Sequence, residues 1–375
     1  MNSDRASQGK FGPGLLVTAA FVGPGTVATA SHGGATLGFS LLWALGFSII
    51  ATLVLQEMAA RLGIITGKGL GEAIRDLLPN GPLAIISITL VVLAIGFGNA
   101  AFQTGNITGA AMALASITSI NIQIFAVLIG ITAGLILLTG QYYIVERILI
   151  ALVLTMSGIF LLTAIVTFPE ISTLFKETRT PIFLSKESTT TIIALIGTTV
   201  VPYNLFLHSK AVTEKWPQTK PLDESVVKSR LDSGVSIGLG GLITLAIMSN
   251  SAVTFFGNTI DVSQNSMSSQ LEPLLGPAAI YVFAVGLFAS GLTSAITAPM
   301  AAAYAVTGVM GWHNSMSGKG FRNIWLFVLI AGTFLASLDL NPLQVIIAAQ
   351  VANGILLPLV AVFLMTVMNS SILPK

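Results

Sequence analysis

The chain has 375 residues, of which 54% are hydrophobic and 9% charged, with a mean hydropathy of +0.88. A soluble domain carries about 25% charged residues, so a soluble globular fold is excluded, and the lack of short alternating segments excludes an outer-membrane barrel. The formal charge of +2 points to no partner, and with no cysteine there is no disulfide, thiolate metal site or thiol redox chemistry.

A helix needs about 20 apolar residues to cross a bilayer. Ten stretches meet that need, predicted at roughly 12–35, 40–62, 82–113, 121–139, 143–168, 188–213, 229–256, 277–308, 322–338 and 342–367. The first follows Lys10 as a signal peptide would, yet it runs on through Pro24 with no cleavage site and is kept as a span. It is interrupted by Gly23-Pro24-Gly25-Thr26. The third carries Asn99, Gln103 and Asn106 at i, i+4 and i+7, on one face. The sixth is interrupted by Val201-Pro202-Tyr203-Asn204. The eighth carries Ser290, Thr293, Ser294 and Thr297, and the tenth Gln350 and Asn353. The longest polar connections are 169–187 and 214–228, and the Ser/Asn/Gln-rich segment 257–276 reads as a lid or surface helix. No composition shift marks a boundary, so 1–375 reads as a single transmembrane domain.

Lys and Arg set the orientation. One set of connections holds 14 of them: Arg5, Lys10, Arg61, Lys68, Arg75, Arg147, Lys210, Lys215, Lys220, Lys228, Arg230, Lys319, Arg322 and Lys375. The other holds 3: Lys176, Arg179 and Lys186. The first set is expected in the cytoplasm, with both termini. Five spans separate the interrupted helices, so they enter from opposite sides. The expected fold is an all-α polytopic membrane protein of about ten helices. It forms a 5+5 inverted repeat, about 12–168 and 188–367, with helices 1 and 6 broken.

Helix-breaking residues at mid-membrane depth are tolerated where the freed backbone is buried or lines a cavity, and a pair of them marks a transporter's substrate site. The competing reading is two coincidental proline kinks, since Pro and Gly are common in membrane helices. Any single polar stripe also reads as helix–helix glue worth roughly 0.6–2 kcal/mol. Several stripes beside two breaks read as a polar central cavity. Neither break holds a carboxylate, thioether or imidazole, and Glu57, Glu146, Arg147, Lys210, Arg230 and Asp232 lie near predicted cytoplasmic ends. No divalent-metal ligand set is therefore expected, since Mg²⁺ and Mn²⁺ want oxygen ligands including carboxylates. His32, His208 and His313 read as structural hydrogen-bonding residues. Tyr203 sits in the break itself, where it either donates to a substrate or caps the gap.

A neutral break offers unpaired N–H groups, suited to an anion, and carbonyls, suited to Na⁺; a neutral polar substrate would fit too. The candidate substrate-binding residues are Gly25, Thr26, Val201, Pro202, Tyr203, Gln350 and Asn353. A sodium site is expected from Ala20, Gly23, Ser290, Thr293 and Ser294. Asn99, Gln103, Asn106 and Asn204 are expected to line the cavity.

Three motifs carry a family resemblance. Leu55-Gln56-Glu57-Met58-Ala59-Ala60-Arg61-Leu62-Gly63 with Thr66-Gly67-Lys68 looks like a second helix and its cytoplasmic exit. Asn204-Leu205-Phe206-Leu207-His208-Ser209 looks like a sixth helix, and Asn341-Pro342-Leu343-Gln344 with Gln350-Val351 a tenth. In these the chain resembles the NRAMP family of divalent-metal transporters over nearly its whole length, which implies an inverted-repeat transporter fold. The functional positions depart from that pattern. The family's Asp-Pro-Gly-Asn is here Gly23-Pro24-Gly25-Thr26, and its Met-Pro-His is Val201-Pro202-Tyr203. An acidic proton-pathway residue aligns with Asn106, and Gly-Gln-Ser-Ser with Gly291-Leu292-Thr293-Ser294, a run that looks more like a sodium-binding eighth helix.

The pattern is similar to an NRAMP-related branch assigned to bicarbonate uptake in cyanobacteria. That resemblance implies a Na⁺-coupled bicarbonate symporter working by alternating access. The expected partners are bicarbonate, Na⁺ as coupling ion and the lipid bilayer, with no cofactor, no nucleic acid and no obligate protein partner. A bacterial inner membrane is the expected location. The alternative is an NRAMP-like transporter of altered selectivity that takes hydrated Mg²⁺. A non-transporting receptor has no need of two breaks. An enzyme is excluded, since no nucleophile–base constellation or cofactor motif is present.

Overall fold

A computed structural model describes residues 22–78, 81–139, 143–168, 185–216, 222–258, 262–263, 266–312 and 318–370. Every regular element among the described residues is helical. In chain order these are α1 Pro24–Leu37, α2 Leu42–Thr66, α3 Leu70–Leu77, α4 Pro82–Val91, α5 Gly98–Ala115, α6 Ile122–Thr139 and α7 Tyr143–Val166. Then follow α8 Lys186–Thr199, α9 Pro202–Lys215, α10 Leu222–Phe255, α11 Ala279–Met310, α12 Lys319–Ala336 and α13 Pro342–Met368. Short turns cover Met267–Leu271, Glu272–Leu275 and Gly276–Ala278.

Nine stretches among the described residues are long and apolar enough to cross a membrane. The first, Pro24–Thr66, has 43 residues, about 65 Å as one helix and twice a bilayer core of about 30 Å. It is divided at Gly38, whose φ of 55° is open mainly to glycine, and a 3₁₀ turn Gly38–Leu41 leads into α2. The expected second to tenth spans thus each have their helix. The first is represented by its second half, because 12–21 lies outside the described residues.

Two features were not expected. Between α4 and α5 the helix passes through a π-helical segment, Val92–Phe97, which re-phases the face that follows. After α2 the chain forms α3, whose Leu70, Ala73 and Ile74 are buried. Glu72 accepts from the Gly69 N–H at 2.9 Å and closes its first turn.

Burial separates the centre from the lipid face. The window in Lys186–Thr213 is 78% buried and that in Met267–Met310 is 72% buried, against 33% for Ile122–Thr139. On α2, Trp43, Phe47, Ile50 and Val54 form an exposed apolar stripe at the spacing of one helix face, suited to lipid. Centrally, α1 packs on α10, α8 on α13, and α5 on both α11 and α13. The segment after α10 covers α1: Gln270 is fully buried and donates from Nε2 to Ser31 Oγ at 3.0 Å and to the Met267 carbonyl at 2.7 Å.

Candidate functional site

Each predicted break coincides with the start of a helix. Gly23 is extended (φ −78°, ψ 171°) and Pro24 opens α1, a position where its missing N–H costs nothing. The Val27 N–H reaches the Gly23 carbonyl at 3.1 Å. In the sixth span α8 stops at Thr199; Val200 donates to the Ile196 carbonyl at 2.9 Å, Val201 is extended (φ −78°, ψ 119°), and Pro202 opens α9. The breaks lie side by side, with the buried hydroxyls of Thr26 and Thr198 3.0 Å apart.

Close backbone approach brings α5 and α13 to this junction. A Cβ on Gly109 would lie 2.2 Å from Pro24 Cβ, so α5 presses on the first break. A Cβ on Gly197 would lie 2.1 Å from the Gln350 carbonyl oxygen, and one on Gly354 2.4 Å from the Ile193 carbonyl oxygen. Small residues at such crossings let membrane helices touch backbone to backbone. The crossing delivers the Gln350 side chain onto Gly25: a Cβ there would fall 2.1 Å from Gln350 Nε2.

The polar side chains at the junction divide into two kinds. Asn99 Nδ2 donates to the Ala298 carbonyl at 3.2 Å, and Gln103 Nε2 to the Ala295 carbonyl at 2.9 Å. These two hold α5 to α11, although Gln103 Oε1 is itself buried without a partner among the described residues. By contrast, Asn106 Oδ1 and Nδ2, Gln350 Oε1 and Nε2, Asn353 Nδ2 and the Tyr203 hydroxyl are buried and have no hydrogen-bond partner among the described residues. The Tyr203 ring leans on Phe102 with centroids 5.3 Å apart. A buried, unpaired polar group costs about 1–3 kcal/mol, so this many at one junction signals a place where water or an ion completes the bonding.

The expected sodium residues are distributed as follows. Gly23 is buried at the first break, while Ala20 lies outside the described residues. Ser290 Oγ donates to the Leu287 carbonyl at 3.2 Å and Thr293 Oγ1 to the Ala289 carbonyl at 2.8 Å. Both hydroxyls keep lone pairs. Ser294 is buried, as are Val201, Pro202 and Asn204. Two threonines escaped the sequence reading. Thr29 and Thr108 have buried, unpartnered hydroxyls, and Thr29 could have been found from its position one turn beyond Thr26 on the same face.

Charge gathers at one end of the bundle, called here the basic end. Arg230 reaches Glu57 at 2.8 Å, Lys210 reaches Glu72 at 3.1 Å, and Lys215 reaches Asp232 at 3.5 Å. The Leu70 N–H donates to Ser209 Oγ at 2.9 Å. Asp76, hydrogen-bonded to Lys68, raises that ammonium's pKa above its usual value. Further in, His208 Nδ1 lies 2.7 Å from Gln56 Oε1. Together these contacts tie α2, α3, α9 and α10. The opposite end is hollow. One cavity of about 980 Å³ lies between the ends of α5, α6, α12 and α13 farther from the basic end, and others of about 500 and 300 Å³ lie between α1, α8 and α13. Among the described residues no three His, Cys, Asp or Glu side chains converge as metal ligands would.

Comparison with known proteins follows the same architecture. The family model Nramp, described as natural resistance-associated macrophage protein-like, matches residues 14–375. A Deinococcus radiodurans protein named divalent metal cation transporter MntH is 30% identical over 351 residues, 91% of this chain and 77% of the relative. A Pectobacterium carotovorum protein of the same name is 26% identical over 359 residues, 93% of this chain and 84% of the relative. Among solved structures, the Eremococcus coleocola manganese transporter, crystallised with an aromatic bis-isothiourea substituted compound, superposes with a TM-score of 0.71 at 23% identity, covering 95% of this chain and 77% of that one. A nucleobase-cation-symport-1 family transporter with bromovinylhydantoin bound gives a TM-score of 0.55 at 16% identity, covering 90% and 74%. The chain belongs to the Nramp family, whose members are transporters and not enzymes.

These relatives overturn the expectation of Na⁺-coupled bicarbonate symport, and with it bicarbonate as partner: they are named for divalent metal cations. The physical reason lies in the amides. Gln350, Asn353 and Asn106 each carry both an oxygen acceptor and an NH₂ donor. Loss of the carboxylates therefore removes charge from the site without setting the sign of its cargo.

Proposed function

We propose that this member of the Nramp family carries a divalent metal cation across the membrane by alternating access. The cation rests between the two breaks, held by neutral oxygens and by the water it retains. The supporting observation is the set of buried amide atoms with no partner among the described residues, Gln350 Oε1 and Nε2, Asn106 Oδ1 and Nδ2 and Asn353 Nδ2, together with the Thr26–Thr198 contact. An amide oxygen is a hard ligand, and the carbonyl end of α8 adds negative dipole character at the same place. With no carboxylate at either break, the site repays less of an ion's dehydration than a charged site would. Mg²⁺ dehydrates reluctantly and keeps several waters when bound, so a hydrated Mg²⁺ is as acceptable as Mn²⁺. The ion pairs at the basic end and the cavities at the other fit a state closed on one side and accessible from the other.

The basic end is placed in the cytoplasm on the 14 to 3 distribution of Lys and Arg, in a bacterial plasma membrane. The two repeats, about 12–168 and 188–367, move against each other around the breaks.

The test is uptake into proteoliposomes under an inside-negative potential, with Mn²⁺ and Mg²⁺ followed separately. Saturable entry of at least one ion that Gln350→Leu abolishes is expected. Absence of flux for both ions in folded wild-type protein would sink the proposal.

A further inference from the structure

The hollow end of the bundle holds two metal-ligating side chains that the junction of the breaks does not use. His32 lies on α1 and Glu187 in the first turn of α8, so each belongs to the outer half of one broken helix. Both border the same two cavities, of about 500 and 300 Å³, together with Thr190. The larger is completed by Asn341 and Gln344 at the start of α13. Among the described residues, the hydrogen bonds made at these two positions go to their backbone carbonyls, from Thr36 and Thr191; the imidazole and the carboxylate are left uncommitted. Glu187 shares the walls of both cavities with His32. Its place at a helix N-terminus favours the ionised carboxylate. Lys186 borders the smaller cavity alone.

An imidazole nitrogen, a carboxylate and the Gln344 amide oxygen make a mixed N/O set, Asn341 Oδ1 already accepting from the Gln344 N–H at 3.1 Å. First-row divalent ions accept such a set, whereas Mg²⁺ takes oxygen ligands and keeps its water. With no group orienting the His32 ring, binding is weak and exchanging, as an entrance requires. We propose that His32 and Glu187 form a second, outer metal site that captures transition-metal ions of the Mn²⁺ and Zn²⁺ class in preference to Mg²⁺, at the mouth above the breaks. Its use as an entrance rests on the transport reading, but its existence is decided by binding alone.

The experiment is Mn²⁺ binding to the purified full chain in detergent, by equilibrium dialysis and by the Mn²⁺ paramagnetic resonance signal. His32→Ala and Glu187→Gln are each expected to weaken one class of bound Mn²⁺ at least about ten-fold. Gln350→Leu should retain that class, and excess Mg²⁺ should displace it poorly. Because the chain has no cysteine, His32→Cys introduces a single thiol. Its modification by a membrane-impermeant maleimide should be slowed by Zn²⁺, and the protection lost when Glu187→Gln is added. This second measurement decides the matter if His32→Ala folds poorly. Wild-type binding in both His32→Ala and Glu187→Gln, or equal displacement by Mg²⁺, would overturn the site. A wild-type chain that binds Mn²⁺ through His32 yet moves no metal would instead overturn the transport reading.

Discussion

Replacing Gly197 with alanine tests whether the crossing of α8 over α13 builds the junction. A Cβ at this position would lie 2.1 Å from the Gln350 carbonyl oxygen and 2.4 Å from the Gly354 amide nitrogen. Both are backbone atoms, so no side-chain rotation relieves the clash. Ordinary contact starts at 3.4 Å, so the helices must part by the difference, about 1.3 Å, in an interior packed as densely as a crystal. Overpacking of this kind costs typically about 1–3 kcal/mol, and a clash against two helix backbones belongs at the upper end. The same displacement lifts the Gln350 amide off Gly25. A shift of about 1 Å is enough to cost a preorganised site on the order of 100-fold. Gly197→Ala should therefore lower the thermal midpoint in detergent by several degrees and reduce metal uptake into proteoliposomes at least about ten-fold. Gly158→Ala on α7 is the control: its Cβ would meet nothing within 4 Å, and helix propensity favours alanine by up to about 1 kcal/mol. If Gly197→Ala matches wild type in both midpoint and uptake, α8 and α13 do not meet as described, and the placement of Gln350 falls with them.

Three further outcomes are expected. Gln350→Leu removes an amide that has no partner among the described residues; it should raise the thermal midpoint, recovering part of a penalty of about 1–3 kcal/mol, while uptake is lost. A lower midpoint would show that the amide is structural. Asn99→Leu deletes the bond to the Ala298 carbonyl and should cost roughly 0.6–2 kcal/mol of stability, leaving the apparent metal affinity unchanged in the same uptake assay. Gln270→Ala deletes the bonds to Ser31 and the Met267 carbonyl. Hydrogen exchange should then quicken in 266–278 and at the outer end of α1, but not in α3 at the basic end.

Much of the fold was legible because membrane helices announce themselves locally. Each must supply its own length of apolar residues and satisfy its own backbone, so the second to tenth spans were placed within a few residues, apart from the start of the seventh, expected at 229 and found at Leu222. Gly23-Pro24 and Val201-Pro202 were legible as breaks because proline removes a helix bond, although Pro299 and Pro358 sit inside α11 and α13 without ending them. The missed elements lacked such a signal. Leu70–Leu77 is too short for its periodicity to stand out, and the π-helical segment Val92–Phe97 is made of residues that suit an α-helix equally well.

The site divides differently. That polar residues gather at the centre without charge is a property of the sequence, since each residue's type and depth follow from composition and span position. Which of them are free to bind is not. Asn99, Gln103 and Asn106 share one helical stripe, yet the first two reach carbonyls of α11 and the third reaches no partner among the described residues. Only the packing of α5 against α11 separates fastener from ligand, because a hydrogen bond is a relation between two chain segments and has no trace in either alone. The residue types leave the sign of the cargo open for a related reason: an amide presents donor and acceptor together, and its orientation belongs to the tertiary structure. The sequence by itself therefore determined a bundle with two facing breaks and a neutral centre. The folded chain decided, through contacts as close as those at Gly197, Gly354 and Gly25, which neutral groups are left waiting there.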